Sequence, residues 1–419
     1  MSNRLGQRLA TIPSGTLCAG VDLSLDSLVV VVLDANGQRL ERFRTTNDVT
    51  GYAYLRERLQ RLVTKHHAAG ALVGMEPTNY YWKQVGYDLE QHQVPFRLVN
   101  ALTVKRHREG DELDRAKDDW RDAFTIADLL RTGKFTETHL PHGAYAELQT
   151  GYTAYLRLRR DRGRQVTLLR NTVRQLFPEF EQVFQDVGGL TATAVIAAGL
   201  NPQPISRQSE AEFVTTVRCA FAGERLALRQ LRELYALAPH SQGFTEATMA
   251  LQLMAQHQAE TIRLLDTQAE QLQTPLLSLF HTLPEAPYLL SIQGLQAADG
   301  LALVATAGDL AQYPSGAALV KLAGTTPTPN TSGRKTYSLT PFSHQGRSDL
   351  RTGLYFITLR LLTRNDALYY HYQRLTTRTP RPLPKMQAVG ACMNKLLWYA
   401  WHVVKHREMY DPDRWRLLA

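Results

Sequence analysis

Short apolar blocks open the chain and give way, further on, to apolar residues at helical spacing. Leu17 to Leu23 is an apolar run and Ser27 to Leu33 a β-branched one; after a turn at Asp34 to Gly37 a third segment runs from Gln38 to Arg44, and together they predict an antiparallel meander. Helical spacing follows over Val49 to Ala68, then a buried strand at Ala71 to Met75, a helix near Trp82 to His92 and a strand at Phe96 to Val99. Strands, helix, strand, helix, strand is the order of an α/β layered domain. Beyond a polar, charged stretch from Lys105 to Arg115, Asp118 to Leu130 places Ala123, Ile126, Ala127 and Leu130 at helical spacing and stops near Gly133.

The remainder reads as helical. Leu148 to Leu176 carries Tyr152, Tyr155, Val166, Leu169, Val173 and Leu176 near one face, with Arg159 and Arg162 interrupting its middle. Glu246 to Gln273 repeats Leu251, Met254, Ile262, Leu265, Ala269 and Leu272, and Pro275 is expected to stop it. Two such helices suit a two-helix or intersubunit coiled coil, so a homo-oligomer, dimer or tetramer, is expected. Between them, residues 186–241 form an insert without a functional signature. From Pro284 the segments Ser291 to Leu295, Gly300 to Ala307 and a helix ending at Leu322 resemble helix-hairpin-helix punctuation, although Gln296 follows Gly294-Leu295 where a second glycine is usual. A loop from Gly324 to Gly333 leads into basic helices at Ser348 to Arg364 and Lys385 to His406. The expected division is an α/β domain at 1–145, a helical coiled-coil region with an insert at 146–283, and a mostly α-helical domain at 284–419.

Composition narrows the class. The 419 residues are 44% hydrophobic and 21% charged, and no apolar run approaches the roughly 20 residues of a bilayer span. The N-terminal stretch lacks the continuous apolar segment of a secretory signal. No membrane partner and a cytoplasmic location are therefore expected. Three cysteines lie far apart with no CxxC pair, which argues against a disulfide framework and a zinc ribbon. Among 13 histidines only His402 and His406 have HxxxH spacing, without the glutamate of HExxH, and they read as a solvated basic face. Tyr80, Tyr81 and Trp82 read as core packing rather than a stacking platform. The net charge of +9 favours polyanions through counterion release, and basic residues gather at Arg157 to Arg174 and Arg334 to Lys405, which points toward nucleic acid.

Phosphodiester transfer with divalent metals needs carboxylates converging from separate elements, because the cations must bridge the scissile phosphate. Four acids suit that chemistry. Asp22 sits near the end of the first strand, and Glu76 ends the strand Ala71 to Met75 where Pro77 blocks continuation. Asp119 and Asp122 are three apart, on one face at the start of a helix. Each has an ordinary reading alone, as a strand-end turn residue, a surface acid or a first-turn acid that suits the helix dipole. Their order along strand, strand and helix would bring all four to one edge of one sheet.

The set Val21-Asp22-Leu23-Ser24, Met75-Glu76-Pro77-Thr78, Lys117-x-Asp119-x-x-Asp122-Ala123 and Thr331-Ser332-Gly333, with Leu169-Arg170-Asn171-Thr172-Val173, resembles the DEDD transposases. These are relatives of the Piv/MooV DNA invertases, in insertion-sequence family one hundred and ten, whose members include bridge-RNA-guided recombinases. The likeness covers roughly residues 17–177 and 284–405 and leaves the insert unmatched. It implies a RuvC-like domain of ribonuclease-H fold holding Mg²⁺ on Asp22, Glu76, Asp119 and Asp122, followed by a coiled coil and a C-terminal transposase domain. It also implies that Ser332 attacks the phosphate and forms a covalent phosphoserine link to DNA, donor and target alike, with a bridge RNA as guide. Arg334, Lys335, Arg347 and Arg351 surround Ser332 in sequence and would neutralise phosphates.

Three other readings stay open on the sequence. A RuvC-like hydrolase would use the four carboxylates and leave Ser332 idle. An actin-like ATPase or sugar kinase also begins with an Asp-bearing strand and hairpin, but its second Gly-rich phosphate loop has no counterpart here. The third is a non-catalytic nucleic-acid-binding protein, against which the four intact acids argue.

Overall fold

The computed structural model describes residues 8–77, 80–111, 118–136, 140–221, 224–328, 331–332, 335–336 and 341–417. Two compact units divide the chain, Met1–Leu140 and Pro141–Ala419. The first contains β1 (Leu17–Leu23), β2 (Ser27–Leu33), β3 (Arg39–Thr46), α1 (Val49–Lys65), β4 (Ala71–Met75), α2 (Tyr81–Gln91), β5 (Phe96–Leu98), α3 (Ala101–Asp111) and α4 (Asp119–Arg131). Its five-stranded sheet has the order β3-β2-β1-β4-β5. The meander β1 to β3 is antiparallel, while β4 and β5 join it in parallel.

Side-chain alternation gives the sheet two buried faces. Leu17, Ala19, Val21, Val30, Val73 and Met75 pack against α1 and α2 through Leu55, Leu59, Val85 and Leu89. On the opposite face Cys18, Leu72, Val29 and Val31 meet Ala123, Ile126, Ala127 and Leu130 of α4. Helix, sheet and helix form three layers, as the order of elements predicts. The charged stretch beyond residue 104 departs from expectation, because α3 is helical through Asp111. Asn100 starts it by accepting from the Leu102 amide at 2.9 Å, and Val104, 3% exposed, anchors it in the Cys18 cluster. One cap and one apolar anchor suffice where the helix leans on a finished core.

The second unit is almost wholly helical: α5 (Gly143–Leu176), α6 (Phe180–Val183), α7 (Leu190–Gly199), α8 (Pro202–Ser206), α9 (Glu210–Ala220), α10 (Leu228–Leu237), α11 (Thr248–His281), α12 (Ala286–Leu290), α13 (Ala297–Ala307) and α14 (Gly316–Ala323), then a hairpin of β6 (Thr331–Ser332) and β7 (Lys335–Thr336), and α15 (Ser348–Leu361), α16 (Asp366–Thr377), α17 (Lys385–His406) and α18 (Pro412–Leu417). The 34-residue helices α5 and α11 pack along each other within the chain. Arg159 and Arg162, which interrupt the apolar face of α5, both reach Asp266 of α11, at 3.3 and 2.6 Å. Pro275 does not stop α11, which continues to His281. The insert has its own core, in which Val195, Phe213, Val217, Leu231 and Leu234 meet Leu169 and Val173 of α5 and Ala259 and Ile262 of α11. A separate core joins α13, α14, α15 and α17. No helix among the described residues is long and apolar enough to cross a membrane.

Candidate active site

Strand register sets two of the four acids side by side. β1 and β4 are parallel with Val21 opposite Met75. Asp22 is the next residue on β1 and Glu76 follows β4 directly, so the two backbones stand at the carboxyl ends of adjacent strands, about 5 Å apart by strand spacing. Cys18 and Leu72 pack on the α4 face, and alternation carries Asp22 and Glu76 to that same face.

Glycine brings α4 onto the strands. A Cβ on Gly20 would stand 2.0 Å from the Ala123 carbonyl oxygen and 2.4 Å from the Ala127 nitrogen, so helix and strand backbones touch where no side chain fits. Over Gly74 lie Ile126 and Leu130, whose side chains would stand 3.1 and 3.2 Å from a Cβ there. Residues 126 and 130 thus lie over β4 and residues 123 and 127 over β1, in the row where Gly20 pairs with Gly74, and Asp119 and Asp122 occupy the turn of α4 that precedes this crossing. Asp122 is buried at 8% exposure, whereas the Asp119 side chain is half exposed. Asp118 instead caps α4, accepting from the Trp120 amide at 3.2 Å.

Sequence reasoning missed Arg44. Val29 pairs with Asp22 on one side and with Arg44 of the edge strand β3 on the other, which puts all three in one row across the sheet. Arg44 Nη2 lies 3.1 Å from Asp119 Oδ2. Its guanidinium stands 6.0 Å from the centre of the Trp120 ring, and that of Arg42, two residues earlier on the same face, stands at 5.3 Å. The Arg42-x-Arg44 alternation was the available signal, but its partner is 75 residues away.

Among the described residues, no three His, Cys, Asp or Glu side chains stand close enough to hold a metal ion as they are placed. The donor chemistry nevertheless fits one. All four donors are carboxylates, the ligand class of hard divalent cations. Asp119, the most exposed, is engaged by the Arg44 guanidinium.

In the second unit the backbone of Ser332 lies opposite Lys335 in the β6–β7 hairpin, while Gly333 and Arg334 fall outside the described residues. Arg347 precedes α15 and pairs with Asp349 at 3.3 Å. Arg351 donates to the Ala323 carbonyl at 2.9 Å, at the end of α14, so it helps to hold that helix. His402 is no solvated residue: its side chain is 16% exposed, lies 3.3 Å from Glu408 and sits against Trp415. Burial lowers its pKa, opposed by the hydrogen bond to Glu408. Trp82 packs on the sheet core as expected, whereas Tyr80 is 69% exposed.

Comparisons with known proteins bear on these residues. A family model described as Transposase, of the DEDD type of IS110, matches residues 19–178, which include all four acids. A second, described as Transposase IS116/IS110/IS902 family, matches residues 286–373, which include Ser332. A candidate transposase of the IS117 mini-circle from Streptomyces coelicolor is 25% identical over 95% of this chain and 96% of its own length. An uncharacterised 44.8 kDa protein of insertion element IS116 from Streptomyces clavuligerus is 26% identical over 76% of this chain and 77% of its own. Among solved structures, T. thermophilus RuvC in complex with a Holliday junction substrate aligns with 29% of this chain and 99% of that one, at 16% identity and a TM-score of 0.21.

Proposed function

Because the chain belongs to the transposase family of IS116, IS110 and IS902 and is a DNA transposase, we propose that it recombines DNA with Mg²⁺ held by Asp22, Glu76, Asp119 and Asp122 and with Ser332 as nucleophile. One observation carries the reading: the β1–β4 register makes Asp22 and Glu76 neighbours on the sheet face that α4 covers, and Asp119 and Asp122 open α4. The sheet order, an antiparallel meander extended by parallel strands, supports a ribonuclease-H-type domain of the RuvC kind.

A divalent cation there would supply positive charge to the scissile phosphate and favour ionisation of an attacking hydroxyl. The rest falls to the chain's own groups. The four carboxylates hold and orient, and Arg42 and Arg44, at the open edge of the row, offer guanidinium donors to phosphate oxygens. Ser332 Oγ attacks phosphorus; one phosphorus–oxygen bond of the DNA breaks as the serine ester forms, and the departing DNA oxygen gains a proton while serine loses one. A hydroxyl of the recombining strand then attacks the ester and frees serine. One bond forms for each that breaks, so the exchange needs no ATP. Donor and target DNA, a bridge RNA as guide and a homo-oligomeric assembly complete the proposal.

Asp22→Asn and Glu76→Gln keep size and remove a negative ligand. Each is expected to abolish Mg²⁺-dependent recombination of supercoiled element DNA while leaving the melting temperature and DNA binding unchanged; full activity in either variant would refute the metal assignment. RNA that copurifies with the chain, and recombination that disappears on ribonuclease treatment, are expected of a guided enzyme. Undiminished recombination after ribonuclease would remove the guide.

A further inference from the structure

The second unit holds a cleft of about 760 Å³ between α5, α11, α13 and α15, well apart in sequence from the four acids. This lies within the roughly 300–1,000 Å³ usual for ligand sites. Its walls combine two chemistries. Tyr152 and Tyr155 of α5 stack on each other with ring centres 5.7 Å apart and planes at 25°, and across the opening α15 presents Phe356, 63% exposed. Arg159, Arg160 and Arg360 also line it, Arg159 reaching Asp266 of α11 and Arg360 pairing with Asp299.

The acids in the lining are already engaged. Asp299, 5% exposed, accepts from the Gln296 amide at 2.9 Å and pairs with Arg360, and Asp349 pairs with Arg347. Arg160 has no acidic partner among the described residues; its Nε donates to the Leu156 carbonyl at 3.2 Å. The cleft therefore faces solvent with one guanidinium free of an acidic partner among the described residues, that of Arg160, beside the exposed ring of Phe356 and the half-buried pair Tyr152 and Tyr155. Gly353 belongs to the same wall. It lies inside α15 and lines the cleft, and a Cβ built on it would meet nothing within 4 Å. Glycine is a poor residue for a helix interior. No packing demands it here, and what it leaves is room at the cleft wall.

Ring faces that take a base and guanidinium groups that take its phosphate form the chemistry of single-stranded nucleic-acid recognition. We propose that this cleft binds an unstacked nucleotide of a single strand, with the base against Tyr155 and Phe356 and the phosphate on Arg160 and Arg360. The site stands whether or not Ser332 is the nucleophile, since its readout is binding without metal.

The test is fluorescence anisotropy of the full chain with labelled oligothymidylate and oligouridylate, in EDTA, against duplex DNA as control. Phe356→Ala removes an exposed ring, and Gly353→Trp fills the cleft. Each is expected to weaken single-strand binding roughly five- to hundredfold, the range that loss of one base–aromatic stack gives, with duplex binding unchanged. Gly353→Ala should bind as the parent does. Selective loss with oligothymidylate assigns the cleft to DNA and with oligouridylate to RNA, and either supports the proposal. It is overturned if both variants bind both oligonucleotides as the parent does, if duplex binding falls equally, or if Phe356→Ala changes the oligomeric state and leaves nucleotide affinity intact.

Discussion

Asp119 is where the proposed metal site meets a competitor. Its carboxylate can be balanced by the Arg44 guanidinium at 3.1 Å or by a divalent cation, and the two compete for the same oxygens. Both side chains are about half exposed, so the pair contributes on the order of 0.2–1 kcal/mol. Arg44→Gln is therefore expected to lower the half-saturating Mg²⁺ concentration in calorimetry by roughly 1.5- to 5-fold, the equivalent of that energy. An unchanged or higher concentration would show that Arg44 does not gate the site. Asp22 and Glu76 were legible in the sequence because an acid closing an apolar strand is costly without a partner. Arg44 was not, because nothing local joins a residue of the edge strand to the first turn of α4.

At the scale of elements, the contact between α4 and β1 fixes the site's shape. Gly20 leaves no space for a methyl group, so Gly20→Ala must push α4 and its two acids away from Asp22. The expected cost is about 1–3 kcal/mol of stability, as for other overpacked cores, with recombination lost as well. Chemical denaturation and a recombination assay check both, and a fully stable, active variant would contradict the close packing. The strands were legible because alternation and β-branched runs are local signals, and β1, β2 and β4 begin and end where the pattern says. Pro275 misled for the opposite reason. Proline removes one donor and strains one turn, but that residue is exposed and the helix around it is held by its packing on α5. Helix α16 left no clear pattern because only Ala367 and Leu368 of its twelve residues are buried, too few to set a periodicity.

For the molecule as a whole, charge, family and acids point one way. The +9 net charge suits a polyanionic partner, and the family models cover the segments that hold the acids and the serine. The acids came from the chain's own pattern, whereas Ser332 came through resemblance, since a serine in a short polar hairpin has no physical signature of its own. The proposal therefore turns on Ser332. The direct measurement is to incubate the chain with end-labelled element DNA and Mg²⁺, isolate the protein–DNA adduct, and map the modified residue by mass spectrometry. The account predicts a phosphoester on Ser332, absent from Ser332→Ala and from Asp22→Asn; cleavage of the DNA with no adduct, or an adduct on another residue, would contradict it.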